Sequence, residues 1–298
     1  MKISGLIPAR LRKDVTVIPV VRLHGTISAS NSPFSRNMNM ATVASQLQRA
    51  FEMKQAPVVA ISINSPGGSP VQSRLIYSRI RELAAEHGKK VLVFVEDVAA
   101  SGGYMIALAG DEIIADETSI VGSIGVVAAG FGFVEAIGKL GVERRVYTAG
   151  KNKVTLDPFL PEKKSDVDHL KKLQLDIHDI FISMVKERRG AKLAEDDNLF
   201  SGQFWTGRPA KELGLVDGFG HMSSELKKRY GKKTKLVLMQ AKRNLFGRPV
   251  PSVAVAAGAP GGIGGGLGGG VGGEIARELP AGLVEEANER AMWARYGL

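Results

Sequence analysis

Two short runs constrain this chain more than anything else in it: PVVAISI at 57–63 and KVLVFV at 90–95. Both are apolar at nearly every position and rich in β-branched residues. A strand with one wet face alternates polar and apolar residues, whereas a strand covered on both faces does not. Both runs therefore belong inside a sheet with layers on either side. Each is followed by small residues, Asn64-Ser65-Pro66-Gly67-Gly68-Ser69-Pro70 after the first and, beyond Glu96-Asp97-Val98, Ala99-Ala100-Ser101-Gly102-Gly103 after the second.

The rest of the chain repeats the alternation. Residues 15–23, 111–115, 120–127, 143–148 and 235–239 read as further strands. Residues 41–53, 71–86, 131–140 and 166–189 read as helices, and 205–220 as a compact helix-turn unit. The longest of these, 166–189, carries one apolar stripe through Val167, Leu170, Leu173, Ile177, Ile180, Phe181, Met184 and Val185, the mark of a core face or a partner interface. Strands and helices in this order predict an α/β fold built on a largely parallel sheet with helical crossovers.

Composition places boundaries around that domain. Of the 16 residues in 258–273, 11 are glycine, which predicts a flexible tether. The expected organisation is an N-terminal extension at 1–14, one domain at 15–248, the tether at 249–273 and a terminal helical segment at 274–298, interrupted by Pro280. The formal charge of +10 suggests a nucleic-acid partner until it is located. Nine basic residues against the single acid Glu225 lie within 225–248, so the excess is one local patch and no nucleic acid is expected. That patch, 227–248, reads first as a solvated face and second as a peripheral contact with anionic membrane. Cysteine is absent, which excludes disulfides and thiol nucleophiles. Residues 1–14 lack the apolar core of a signal peptide, and no run reaches the roughly 18 apolar residues of a membrane span. The expectation is a cytoplasmic chain, with at most a peripheral place at the inner membrane.

The chemistry centres on Ser101. A serine among small residues, where a strand gives way to a helix, presents its hydroxyl for attack, and a backbone N–H at a helix start welcomes an anion. Ser-Gly-Gly also occurs in plain turns, so the company it keeps decides. A serine hydroxyl needs a base. The five histidines are His24, His87, His169, His178 and His221; none lies between Ser101 and Lys153 or at a strand end that would aim it. A lysine held neutral by apolar surroundings is the other option. Lys153, ahead of Val154-Thr155-Leu156-Asp157-Pro158-Phe159, is the candidate, with Lys151 as its rival. Gly67, Gly68 and Gly102 could offer N–H groups to an oxyanion, though such glycines are ordinary in turns. Ser123, in VGSIGV at 121–126, could orient a neutral amine.

The order SPGG (65–68), ASGGY (100–104), VGSIGV (121–126) and KVTLDPF (153–159) resembles the signal peptide peptidase A family of serine proteases, peptidase family S49. SGQFWTGRPAKELGLVDGFG at 201–220 resembles the segment that follows the long helix there, and the likeness runs over about 15–248. It implies a ClpP/crotonase-like fold of stacked ββα units. It implies Ser101 as nucleophile, Lys153 as general base and Ser123 bonded to the lysine. Gly68 and Gly102, with Gly67 adjacent, would form the oxyanion hole, with no cofactor and no metal. It also implies peptide substrates and a homo-oligomeric ring, the lysine coming across an interface from a neighbouring half or subunit. The family's usual membrane anchor is not seen in this sequence, and the tether and terminal helix are not part of its pattern. Two other readings share the fold: a crotonase-type acyl-CoA enzyme, and a non-catalytic ring scaffold with a basic membrane-contact patch.

Overall fold

The computed structural model describes residues 15–29, 37–150, 152–240, 287 and 289–298. The expected extension 1–14 and tether 249–273 lie outside the described residues, as does most of 274–298. Eight strands form one sheet: β1 (Val17–His24), β2 (Val58–Ser65), β3 (Lys90–Ala100), β4 (Glu112–Ala115), β5 (Ile120–Gly122), β6 (Phe204–Thr206), β7 (Gly218–Phe219) and β8 (Lys235–Leu238). The main order is β6-β5-β3-β2-β1-β8, with β4 pairing both β3 and β7. Every pairing is parallel except that of β5 with β6. The α/β class and largely parallel sheet expected from the sequence are what the chain folds into.

The helices that accompany the sheet are α1 (Met40–Glu52), α2 (Pro70–Glu86), α3 (Gly102–Ala107), α4 (Val134–Lys139), α5 (Lys164–Arg189), α6 (Gly207–Glu212) and α7 (Met222–Tyr230), and residues 289–294 are helical as well. Their starts follow local chemistry. Asn39 caps α1 by accepting from Thr42 N while Thr42 Oγ1 accepts from Asn39 N, a reciprocal box. Ser69 caps α2, with Pro70 at its first position. One face of the sheet packs on α1, α2, α3 and the C-terminal half of α5, in a core that includes Leu47, Phe51, Ile61, Ile76, Ile80, Val93, Tyr104 and Phe181. The other face buries Ile18, Val20, Val58, Ala60, Leu92, Phe94 and Ile114 against Leu226 of α7. Two covered faces explain why β2 and the first half of β3 lack alternation.

β3 changes neighbours partway along. Ile63 pairs Val95, but Ser65 pairs Ala99, so β3 carries two extra residues over that step. Before the step Leu92–Phe94 pairs β4; after it Val98–Ala100 pairs β5. Asn64 braces the irregularity, accepting from Val98 N at 3.2 Å and donating to Asp97 Oδ2 at 2.5 Å. Extra residues bend and twist a strand, and here they aim the second half of β3 at Ser101.

Three expectations change. The strand expected at 120–127 ends at Gly122, because Ser123 takes φ 55° and leaves the ladder. No strand forms at 143–148, which finds no sheet edge to pair with; from 127 to 150 every residue but Ile137 is exposed. The helix expected at 131–140 is the shorter α4, and none of its residues is buried. Along α5, Phe181, Met184 and Val185 are buried, but Leu173 and Ile180 are 45% and 48% exposed. Of the eight stripe residues these two are exposed within one chain, and Val167, Leu170 and Ile177 are part-buried.

A charged knot ties α5 to the sheet. Buried Arg189 donates to Gly214 O at 2.7 Å and grips Asp217 through both terminal nitrogens at 2.8 and 3.1 Å. Asp217 also accepts from Lys192 at 2.6 Å and from Ile113 N of β4 at 2.8 Å. Burial alone pushes the Asp217 carboxyl up, but these donors outweigh it and hold the group at about 2. A carboxyl depressed from 3.8 stabilises the fold above that value and loses the contribution as pH falls toward 2. Asp217→Asn is therefore expected to lower stability by about 2 kcal/mol at pH 7, with the gap to the parent closing between about pH 4 and 2. Denaturant unfolding at several pH values measures it.

Candidate active site

Ser101 ends β3 and immediately precedes α3. Its backbone is at φ 51°, ψ −121°, a conformation that L-residues rarely adopt. Two backbone bonds over-determine it: Ser101 N donates to Gly122 O at 2.8 Å, and Ser101 O accepts from Met105 N at 3.0 Å. The side chain is thereby turned out of the strand at the head of a helix, half-buried, with all of Gly102–Ala107 buried behind it. Ser101 thus occupies a tight, strained strand-to-helix turn.

The glycines around it are required by space. A Cβ on Gly67, whose φ is +107°, would lie 2.8 Å from Ser101 Cβ and 2.9 Å from Gly102 N. One on Gly68, φ +137°, would lie 2.0 Å from Ile27 O. One on Gly102 would meet Ser73 Oγ at 2.3 Å and Gly68 N at 3.4 Å. The two turns, 65–69 and 100–103, thus press backbone against backbone. Gly67 N is directed to Ser65 Oγ at 3.3 Å and Gly67 O accepts from Ile27 N. Among the described residues no backbone acceptor receives the amides of Gly68 and Gly102. The structure therefore brings the backbones of Gly67, Gly68 and Gly102 together around the Ser101 turn.

Ser123 is buried, one residue beyond the carbonyl that anchors Ser101, and its own N–H donates to Gln203 O at 2.7 Å. Lys153 is not brought to Ser101 by any hydrogen bond or ion pair among the described residues. It is exposed, three residues after the Gly150 turn. Its segment is stapled to itself: Arg144 pairs with Asp157 at 2.6 Å and lies over the Phe159 ring at 5.0 Å, Phe133 stacks near Phe159 at 5.6 Å, and Phe133 N donates to Pro158 O. The apolar surroundings expected for Lys153 are not assembled within one chain. What the segment shows instead is apolar surface, with Phe131, Leu140 and Tyr147 at 78%, 77% and 90% exposure.

Two contributors escape sequence reasoning. Ser73, fully buried on α2, donates to Ser69 O and fills the space against Gly102; a small polar residue on a buried helix face is the only signal it gives. His178 on α5 sits 3.0 Å from Ile124 O, fixing the strand end that holds Ser123. It lies 54 residues further along the chain, so proximity in sequence could not find it.

Ser101 on its strained turn sits among close-packed glycines at the end of a largely parallel α/β sheet, and comparison with known proteins gives the family. The model of peptidase family S49 matches residues 84–236, which include Ser101, Ser123 and Lys153. This chain belongs to that family. It is 33% identical over 211 residues to Protease 4 of Haemophilus influenzae, covering 71% of this chain and 34% of that one. It is 31% identical over 211 residues to the chloroplastic serine protease SPPA of Arabidopsis thaliana, covering 69% and 31%. It is also 61% identical over 296 residues to a protein of Brucella melitensis biotype 1 named Na(+)/H(+) antiporter NhaA, covering 99% of this chain but 39% of that protein. The chain thus spans about a third of these relatives, and most of the antiporter-named protein lies outside the aligned stretch. No helix among the described residues is long and apolar enough to cross a membrane.

The glycine packing carries a direct test. Gly68→Ala drives a methyl into the Ile27 carbonyl at an unfavourable φ, and is expected to destabilise the protein by roughly 2–4 kcal/mol. Thermal unfolding reads the loss; an unchanged midpoint would mean that the 65–69 turn does not lie against the Ile27 backbone.

Proposed function

We propose that this chain is a serine endopeptidase that hydrolyses short apolar or unfolded peptides through a Ser–Lys dyad. The observation that carries the reading is Ser101, held in a strained turn next to the amides of Gly68 and Gly102. Family membership supports peptide hydrolysis over the acyl-CoA chemistry and the inert scaffold that the fold alone would allow.

In this reading a peptide lies across the strand ends with its scissile carbonyl over Ser101 Oγ. Neutral Lys153 takes the hydroxyl proton as Oγ bonds to the carbonyl carbon. The carbonyl π pair moves onto oxygen, and the N–H groups of Gly68 and Gly102 hold that oxyanion; such donors are worth about 3–4 kcal/mol each when aimed at developing charge. Collapse breaks the C–N bond, and the proton passes from Lys153 to the departing amine. Water, deprotonated by Lys153, then attacks the acyl-enzyme and frees Ser101. Ser123 orients the lysine amine.

The base comes from a neighbouring copy of the chain. Support for this lies in where Lys153 is, on an exposed arm that carries the exposed apolar side chains Phe131, Leu140 and Tyr147, together with exposed Leu173 and Ile180 on α5. An assembly that buries those surfaces would desolvate Lys153 and complete the site at once, as a homo-oligomeric ring does. The basic stretch 227–248, of which Lys227, Lys228 and Arg229 lie on the last turn of α7, serves as a peripheral contact with anionic membrane.

Ser101→Ala and Lys153→Ala are each expected to lower hydrolysis of a fluorogenic peptide by about 10³-fold or more, with Lys151→Ala near parental. Mixing the first two variants should restore part of the activity, because some interfaces then join an intact serine to an intact lysine. Full activity in either single variant refutes the dyad, and failure of the mixture to recover refutes its sharing between copies.

A further inference from the structure

Residues 289–298 make two contacts that the peptidase chemistry does not use. The Tyr296 ring meets Phe204 edge-to-face, centroids 4.9 Å apart at 71°, and the Tyr296 hydroxyl donates to Pro66 O at 3.5 Å. Both partners stand beside Ser101. Pro66 precedes Gly67, whose missing Cβ makes room for Ser101. Phe204 is paired across β5–β6 with Gly122, whose carbonyl anchors Ser101 N. Tyr296 therefore bridges the two strand ends that flank the nucleophile. Beyond it, Leu298 helps line a cavity of about 610 Å³ with Phe94, Glu96, Asp97 and Ser119.

We propose that Pro66 and Phe204 form a subsite for an aromatic side chain of a peptide, and that Tyr296 fills it as a competitor in the same chain. The proposal rests on the reading of Ser101 as the nucleophile. The subsite has the two parts that a tyrosine needs, an aromatic face for its ring and a carbonyl acceptor for its hydroxyl. The hold is light. Among the described residues, the Phe204 ring pair, the 3.5 Å hydrogen bond to Pro66 and the Arg295 guanidinium, 5.9 Å from the ring centroid, hold Tyr296, while Arg295, Gly297 and Leu298 are exposed. A light hold suits a competitor that substrates displace, and an unfolded peptide with an exposed Tyr, Phe or Trp is the class of ligand that displaces it. Segment 289–298 offers such a side chain in Tyr296, which lies on the turn that follows a helical stretch at 289–294.

Full-length Tyr296→Ala tests this on a fluorogenic peptide bearing one aromatic residue. A ring pair of this kind corresponds to roughly a two- to twelvefold effect on occupancy. KM is expected to fall by that factor with kcat unchanged, and Tyr296→Phe, which keeps the ring, should fall between. A second measurement does not depend on hydrolysis: binding of a fluorescently labelled peptide of residues 289–298 to full-length Ser101→Ala carrying Tyr296→Ala, read by anisotropy. Saturable binding, lost when the peptide's own tyrosine is replaced by alanine, supports the subsite. An unchanged KM together with no binding at millimolar peptide overturns it. If Ser101→Ala still hydrolyses peptides, the dyad fails, and the anisotropy result alone then decides the subsite.

Discussion

The close approach of two backbone turns is the constraint on which the rest of the site depends. Residues 65–69 and 100–103 meet at distances that leave no room for a side chain at Gly67 or Gly103, while Ile27 and Ser73 close the space at Gly68 and Gly102. Contact of this kind does two things at once. It holds Ser101 in a conformation that an isolated peptide would avoid, and it leaves no side chain to shield the amides of Gly68 and Gly102. Strain of about 1–3 kcal/mol at such a residue persists only where the surroundings over-determine it. Here they do, through the Gly122 carbonyl on one side and the first turn of α3 on the other.

The core supplies that rigidity, and the arm stands apart from it. β2 and the first half of β3 are buried on both faces, so their ends cannot drift without exposing apolar surface at roughly 25 cal/mol per Å². Residues 127–150 have almost no buried side chains, and the arm is held mainly by its own contacts among Phe133, Arg144, Asp157 and Phe159. One part of the site is preorganised by packing. The other, in the reading proposed above, is ordered by association, and the apolar area left uncovered along the arm and α5 is the driving force for it.

Much of this was legible in the residues, and the parts that were not share a physical reason. Runs at 57–63 and 90–95 announce a sheet covered on both faces because burial writes itself into every position. The glycines and Ser101 are legible because only small residues tolerate such turns. Residues 143–148 mislead because a strand exists only with a partner, and β-branched content says nothing about whether an edge is available. The apolar stripe of 166–189 shows that a face wants cover without showing what covers it: Phe181 and Val185 meet the core, whereas Leu173 and Ile180 do not. Ser73 and His178 act through long-range contacts, and no local pattern marks either. The step in β3 shows only as two acids, Glu96 and Asp97, interrupting an apolar run.

That step has a mechanical consequence. Because β3 hands its edge from β4 to β5, the sheet forks, and the two prongs share β3 as their common root. The β4–β7 prong is clamped by Asp217 and the end of α5; the β5–β6 prong is three residues long on each strand. A short prong on a firm root can open while the domain stays folded, as a local unit of low stability. The carbonyl of Gly122 travels with it, so the anchor of Ser101 belongs to that short prong. Breathing of that lip would loosen Ser101 long before the core melts.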